Sequence, residues 1–143
     1  NGIDIYSIQR TDIICENKTR TDKAVYKNNT GGVAIGEETV ASGNYSHAEG
    51  DNTRTGGDYS HAEGNETVTN YEYQHAQGAY NNADDFEEDE GAFMHGCGTS
   101  NNNRKNAFGI AADGKIYVIG LGGYDGTNHE EALSLQEVIA ALQ

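Results

Sequence analysis

A six-residue unit occurs three times in this chain at one fixed interval. Tyr45-Ser46-His47-Ala48-Glu49-Gly50 returns as Tyr59-Ser60-His61-Ala62-Glu63-Gly64 and as Tyr73-Gln74-His75-Ala76-Gln77-Gly78, 14 residues apart each time. One period earlier, Gly32-Val33-Ala34-Ile35-Gly36 keeps the Ala-x-Gly but carries Val33 and Ile35 where the later units have His and Glu. Weaker echoes, Ala41-Ser42-Gly43 and Thr55-Gly56-Gly57, fall halfway between, so the underlying module is about 7 residues used twice per period. After Gly78 the period breaks. The next match, His95-Gly96-Cys97-Gly98, places His95 20 residues after His75, six more than the period, across the acidic run Asp84 to Glu90. On this alignment His95 takes the histidine position and Cys97 the position of Glu49 and Gln77.

Fourteen residues are too few for a helical hairpin and suit two short strands with two turns, one coil of a β-solenoid. Successive strand residues point to opposite faces, so Ser46, Ala48 and Gly50 share one side and Tyr45, His47 and Glu49 the other. Small side chains let two backbone layers approach closely, which puts the Ser/Ala/Gly side inside a narrow coil. Glycines at the module ends suit turns that need φ > 0. Only 35% of the residues are hydrophobic and 19 are glycine. That composition permits either disorder or a core of small residues, and the repeat selects the second. Such a core buries little area, and at about 25 cal/mol per Å² it falls short of the roughly 1–2 kcal/mol per residue that ordering costs. Oligomerisation is the expected remedy, with Val33 and Ile35 as interface positions at one end of the stack.

The formal charge of −14 disfavours nucleic acid and anionic membrane surfaces as partners. No stretch reaches the roughly 18 apolar residues of a membrane span. The chain opens on Asn1 rather than Met, as a processed product or a piece of a longer chain does.

Outside the repeats, residues 1–29 read as an N-terminal capping segment. Ile3, Ile5, Tyr6, Ile8, Ile13 and Ile14 suggest one or two strands that shield the first coil's open edge. Residues 30–98 form the roll, with an acidic insertion at 79–94. Residues 99–143 form a trimerisation region that begins with a hairpin over Ala107 to Ile119, turning at Asp113-Gly114. Ser134 and Glu137 then make a capping box that opens a helix from Leu135 to Leu142. Leu135, Val138, Ile139 and Leu142 form one apolar stripe on it. So short a helix must dock, either on the hairpin of its own chain or in a three-helix bundle on a threefold axis.

Several groups of residues could carry chemistry. His47, His61, His75 and His95 form a ladder about 4.8 Å apart, which pairs with carboxylates such as Glu49 and Glu63 across a subunit interface, holds a transition metal, or contacts a ligand directly. Paired in that way, the histidines would have raised pKa values on assembly, and stability would fall as pH rises through them. Asp84, Asp85 and Glu87 belong to a run that reads as a solvated loop, with a weak cation site or a contact for a basic receptor as alternatives; its spacing is not that of an EF-hand. Tyr45, Tyr59 and Tyr73 offer aromatic surface to a sugar, or pack against the next coil. Cys97 reads as a small buried thiol, and no spacing links it to Cys15. No nucleophile motif or phosphate loop is present, no catalytic residue is assigned, and no cofactor is implied.

Val33-Ala34-Ile35-Gly36, Ala41-Ser42-Gly43 and the Ser-His-Ala-Glu-Gly units at 46–50 and 60–64 resemble the head repeats of trimeric autotransporter adhesins. The Ser-His-Ala-Glu-Gly form, with Gly98-Thr99-Ser100, Arg104 to Phe108 and Asp113 to Val118, looks more like tail-fibre and tail-appendage proteins of phages. The resemblance implies an all-β fold, a left-handed parallel β-roll of 14-residue coils that assembles as a homotrimer. It also implies a non-catalytic structural and receptor-binding module on a virion or bacterial surface, whose partner is a host glycan or protein. A purely structural spacer and a polysaccharide depolymerase are the alternatives. Some phage relatives continue into a self-cleaving chaperone domain, but here the chain after Val118 runs through a glycine-rich stretch into the short helix, so that activity is not carried over.

Overall fold

A computed structural model describes residues 31–87 and 90–143 and the backbone of residues 24–27. Four five-residue strands, β2 (Val33–Glu37), β4 (His47–Asp51), β6 (His61–Asn65) and β8 (His75–Ala79), stack in parallel in one sheet. Their register is offset by one repeat at every step, so that Ala34, Ala48, Ala62 and Ala76 lie in a column. The opposite wall is a sheet of three two-residue strands, β3 (Val40–Ala41), β5 (Arg54–Thr55) and β7 (Val68–Thr69). The chain alternates between the walls, which makes a β-solenoid of about four coils.

Of the side expected inside the roll, Ser46 and Ala48 are buried, whereas Gly50 is exposed on the outward groove, because its φ of 124° breaks the strand's alternation. The alanine column is buried, and Ala41, Thr55 and Thr69 face it from the other wall. Most of the polar members are paired, with the buried Thr53 Oγ1 as the exception. Ser46 Oγ donates to the Gly43 carbonyl at 2.8 Å and accepts from Thr55 Oγ1 at 2.9 Å, and Ser60 repeats the pattern with Gly57 and Thr69. Gln74 replaces serine in the next coil and reaches further, donating to the Phe86 carbonyl at 3.0 Å and accepting from the Asn70 and Tyr71 amides.

Backbone conformation repeats every seven residues, the period of the half-coil module. Glu38, Tyr45, Asn52, Tyr59, Glu66, Tyr73 and Tyr80 all have φ between 45 and 59°. The corner turns are therefore held by non-glycine residues, each at roughly 1–2 kcal/mol of left-handed strain. From Asn52 onward each corner amide finds a partner one coil back, as in Tyr59 N–H to the Asn44 carbonyl at 2.8 Å. Glycine is obligatory elsewhere, in the column Gly36, Gly50, Gly64 and Gly78, at the strand position just past Glu49 and its counterparts. A Cβ at Gly50 would lie 1.9 Å from the Gly64 carbonyl oxygen, so the coils can stack at this spacing only with hydrogen there.

Both ends of the eight-stranded sheet are closed by antiparallel strands. At one end β1 (Ala24–Lys27) pairs with β2 and covers the first coil. The remaining strand expectation for residues 1–29, Ile3 to Ile14 with Tyr6, lies outside the described residues, as does Cys15. At the other end β9 (Phe93–Cys97) pairs in parallel with β8, and the hairpin β10 (Asn106–Ile110) and β11 (Ile116–Val118) continues the sheet antiparallel. The final helix α1 (Leu135–Ala141) opens on the expected capping box, in which Glu137 N–H donates to Ser134 Oγ at 3.3 Å and Ser134 N–H to Glu137 Oε2 at 2.8 Å. Gln136 ties the helix to the hairpin through the Ile116 amide and the Gly114 carbonyl.

The insertion departs from expectation. His75 pairs with Phe93, an offset of 93 − 75 = 18, so it adds four residues to the period and not six. The glycine column explains the difference. Gly96 lies against Gly78, where a side chain on Gly78 would reach within 2.4 Å of the Gly96 carbonyl oxygen. Stacking therefore aligns glycine on glycine. His95 consequently falls opposite Gln77, outside the histidine row, and Cys97 falls opposite Ala79 and is exposed rather than buried.

Candidate functional site

The outward face of the eight-stranded sheet carries two parallel rows. The first runs Val33, His47, His61, His75 and Phe93. Its imidazoles stack at centroid distances of 4.8 and 4.6 Å, and the Phe93 ring ends the row 5.1 Å beyond His75. The second row runs Ile35, Glu49, Glu63, Gln77 and His95, and it lines an open groove together with the glycine column. Gln77 and His95 are hydrogen-bonded at 3.1 Å, and the His95 ring stacks on Phe108 at 5.5 Å.

The two rows interact within one chain. His47 Nε2 lies 3.7 Å from Glu49 Oε2. The next coil brings Glu49, a ring nitrogen of His61 and Glu63 together, with all three donor atoms within 4.8 Å of one another. His61 Nε2 and His75 Nε2 are shielded from solvent and have no hydrogen-bond partner. His61 titrates below the ordinary histidine value, first because burial penalises the imidazolium and then because His75 and His47 flank it; the charges of Glu63 and Glu49 oppose this. Within the chain the direction is thus opposite to the raised value expected for carboxylate-paired histidines.

The tyrosines form a third row along one corner. Tyr45, Tyr59 and Tyr73 stack at 5.5 and 5.4 Å with rings nearly parallel, and Tyr45 is 67% exposed. Their ring faces lie against one another, and Gly31 abuts the outer face of Tyr45. Tyr59 has a ring on both faces, whereas Tyr45 and Tyr73 end the row and are 67% and 55% exposed. The row therefore packs coil on coil, and ring face is left for a sugar only at its ends.

The acidic run is not one solvated loop. Asp84 and Glu87 are exposed, but Asp85 and Phe86 are buried on a short 3-10 turn over Ala83–Phe86. The Asp85 carboxylate accepts from the Tyr124 hydroxyl, from Asn106 Nδ2 at 2.9 Å and from the His129 amide at 2.7 Å. His129 Nδ1 also lies 3.3 Å from Asp85 Oδ1, and its ring stacks on Phe86 at 4.3 Å. Burial and the adjacent Asp85 hold the Tyr124 hydroxyl far above its ordinary pKa. The grouping of Asp84, Asp85 and Glu87 as cation ligands therefore breaks, because the middle carboxylate is turned inward and consumed. Sequence reasoning missed Tyr124, Asn106 and His129 altogether. Two signals were available: an apolar Phe86 inside the acidic run, and His129 as the one histidine of five outside the repeats.

Of the expected trimerisation residues, Val33 and Ile35 lie at the head of the two rows, with Ile35 partly exposed. In the helix stripe Leu135 and Val138 are half-buried, whereas Ile139 and Leu142 are 48% and 83% exposed. No helix among the described residues is long and apolar enough to cross a membrane. Compared with protein-family models, curated proteins and solved structures, the chain matches none.

Proposed function

We propose that the chain is a non-catalytic structural and receptor-binding module of a trimeric fibre on a phage tail or bacterial surface. One observation carries this reading: no residue of α1 is buried, and its stripe ends on Ile139 and Leu142 in the open. A seven-residue helix has too little internal stability to stand uncovered, so a cover from neighbouring chains fits it better than solvent. Ile35, Ile119 and Leu133 add exposed apolar surface that three chains around an axis would share. In-register coils make a stiff support for such an assembly. Three chains would carry 3 × −14 = −42 charges, which favours a basic or neutral polar receptor over an anionic one.

The purely structural spacer is the second reading, and the stacking of Tyr45, Tyr59 and Tyr73 from coil to coil favours it. A depolymerase, for which Asp84 and Glu87 are the candidate acids, has less support, since both are solvent-exposed rather than held in an apolar pocket and Asp85 between them is bound to internal partners. Light scattering at micromolar concentration tests the assembly: about 46 kDa, three times 15.4 kDa, is expected, and a monomer overturns it. Sedimentation of labelled trimer with bacterial cell walls then separates a receptor-binding module, which co-sediments and competes with phage adsorption, from a spacer, which does neither.

A further inference from the structure

The two rows place three metal-ligating side chains together at only one coil. Read across neighbouring coils, the triplets are Ile35–His47–Glu49, Glu49–His61–Glu63 and Glu63–His75–Gln77. Only the middle triplet has an imidazole between two carboxylates. We infer that Glu49, His61 and Glu63 form a site for one divalent transition-metal ion of the zinc class, complete within a single chain.

Three independent features point to a cation there. Glu49 and Glu63 are stacked directly opposite in the ladder, where like charges repel, and among the described residues neither has a lysine or arginine in ion-pair range. The Nε2 atom of His61 is closed off from solvent with no partner, as is that of His75, but only the His61 ring has a carboxylate on either side with which to share an ion. The donor set itself, one imidazole nitrogen and two carboxylate oxygens with room for water on the groove side, suits Zn²⁺ at about 2.0–2.2 Å per ligand after modest side-chain adjustment. The depressed basicity of His61 keeps its ring neutral near pH 7, the form that coordinates. The neighbouring coils lack this set, because Ile35 supplies no donor to the first triplet and Gln77 supplies an uncharged amide to the third.

Titration of the intact chain with Co²⁺, followed by Zn²⁺ displacement, tests the site. A visible absorption band that saturates at about one ion per chain and is removed by Zn²⁺ is expected. Glu63→Gln removes one of three ligands, so affinity falls by more than the about 10- to 100-fold that loss of an outer-shell partner costs. His47→Gln removes an imidazole that lies 3.7 Å from Glu49 Oε2 and supplies no ligand atom itself, so it costs no more than the about 10- to 100-fold of an outer-shell partner, less than Glu63→Gln does. A gain-of-site variant keeps the test independent of any loss of folding: Gln77→Glu gives the third triplet two carboxylates as well, and with Glu63 bridging through its two oxygens it raises the capacity to about two ions per chain. The inference is overturned by the absence of saturable binding, by binding indifferent to Glu63→Gln, or by a capacity that Gln77→Glu leaves at one. It does not depend on trimer formation or receptor binding, which light scattering and cell-wall sedimentation read separately.

Discussion

The roll and the C-terminal cap solve the same problem of a small apolar budget in different ways. In the roll every residue meets its own counterpart one coil away, and the interior is alanine, serine and threonine with internally matched hydrogen bonds. In the cap, Phe86, Met94, Tyr117 and Tyr124 form a core of large side chains. They are organised around a buried carboxylate whose partners lie up to 44 residues away in sequence. The roll's stability is a sum of nearest-neighbour steps. The cap's depends on one network closing as a whole. A linear stack also needs an end, and the cap supplies it by turning the sheet antiparallel at β10 and β11.

Four substitutions or conditions probe that contrast. Gly50→Ala should have the largest effect, because the added methyl meets backbone that cannot move aside; a loss of about 4 kcal/mol or more in chemical denaturation is expected, with the whole roll affected. Retention of the wild-type midpoint would show that the coils can spread. Asp85→Ala leaves Tyr124, Asn106 and the His129 amide without their acceptor, at about 3 kcal/mol. Hydrogen exchange should then show protection lost across residues 106–129 and kept in β4 and β6, whereas uniform loss would mean that roll and cap are one cooperative unit.

Ser134→Ala removes the N-cap and should cost about 1 kcal/mol, read as lost helical circular dichroism with the β signal intact. An unchanged helical signal would mean that packing, and not the cap, holds α1. The smallest effect is on pH. His61 has a lower pKa folded than unfolded, so the unfolded chain binds more protons near and below the ordinary histidine value, and stability is lost as pH falls. His47, His75, Glu49 and Glu63 are the charged or titratable groups facing it. Melting in chelator-containing buffer should therefore occur at a lower temperature at pH 5 than at pH 7, and His61→Gln should narrow that gap. A melting point that instead falls from pH 5 to pH 7 would mean that assembly pairs the histidines with carboxylates and reverses the sign.

The roll was legible because its geometry is written as residue identity. Ala34, Ala48, Ala62 and Ala76 had to be inside, and the seven-residue module reappears as the spacing of left-handed corners. The hairpin and the capped helix were legible for a different reason, since Asp113-Gly114 and the Ser134–Glu137 pair are local signals. His95 was misplaced because alignment on histidine ignores what the stack enforces. Close approach constrains Gly78 and Gly96 far more tightly than it constrains an outward imidazole. The buried Asp85 was illegible for a reason of another kind. An aspartate among acidic neighbours is indistinguishable from a solvated one until Tyr124, Asn106 and His129 arrive from distant parts of the chain.

Coil length, the inner column of small residues, the outward rows of Tyr, His and Glu, and the capped terminal helix follow from residue identity and spacing alone. Each of these is set by contacts between identical positions or within a single turn. The row that His95 joins, the anchoring role of Asp85, the stacking of the tyrosines and the convergence of Glu49, His61 and Glu63 emerge only once the chain is packed. Those outcomes depend on the distance of closest approach between backbones and on partners brought together from different coils, which no spacing along the chain encodes.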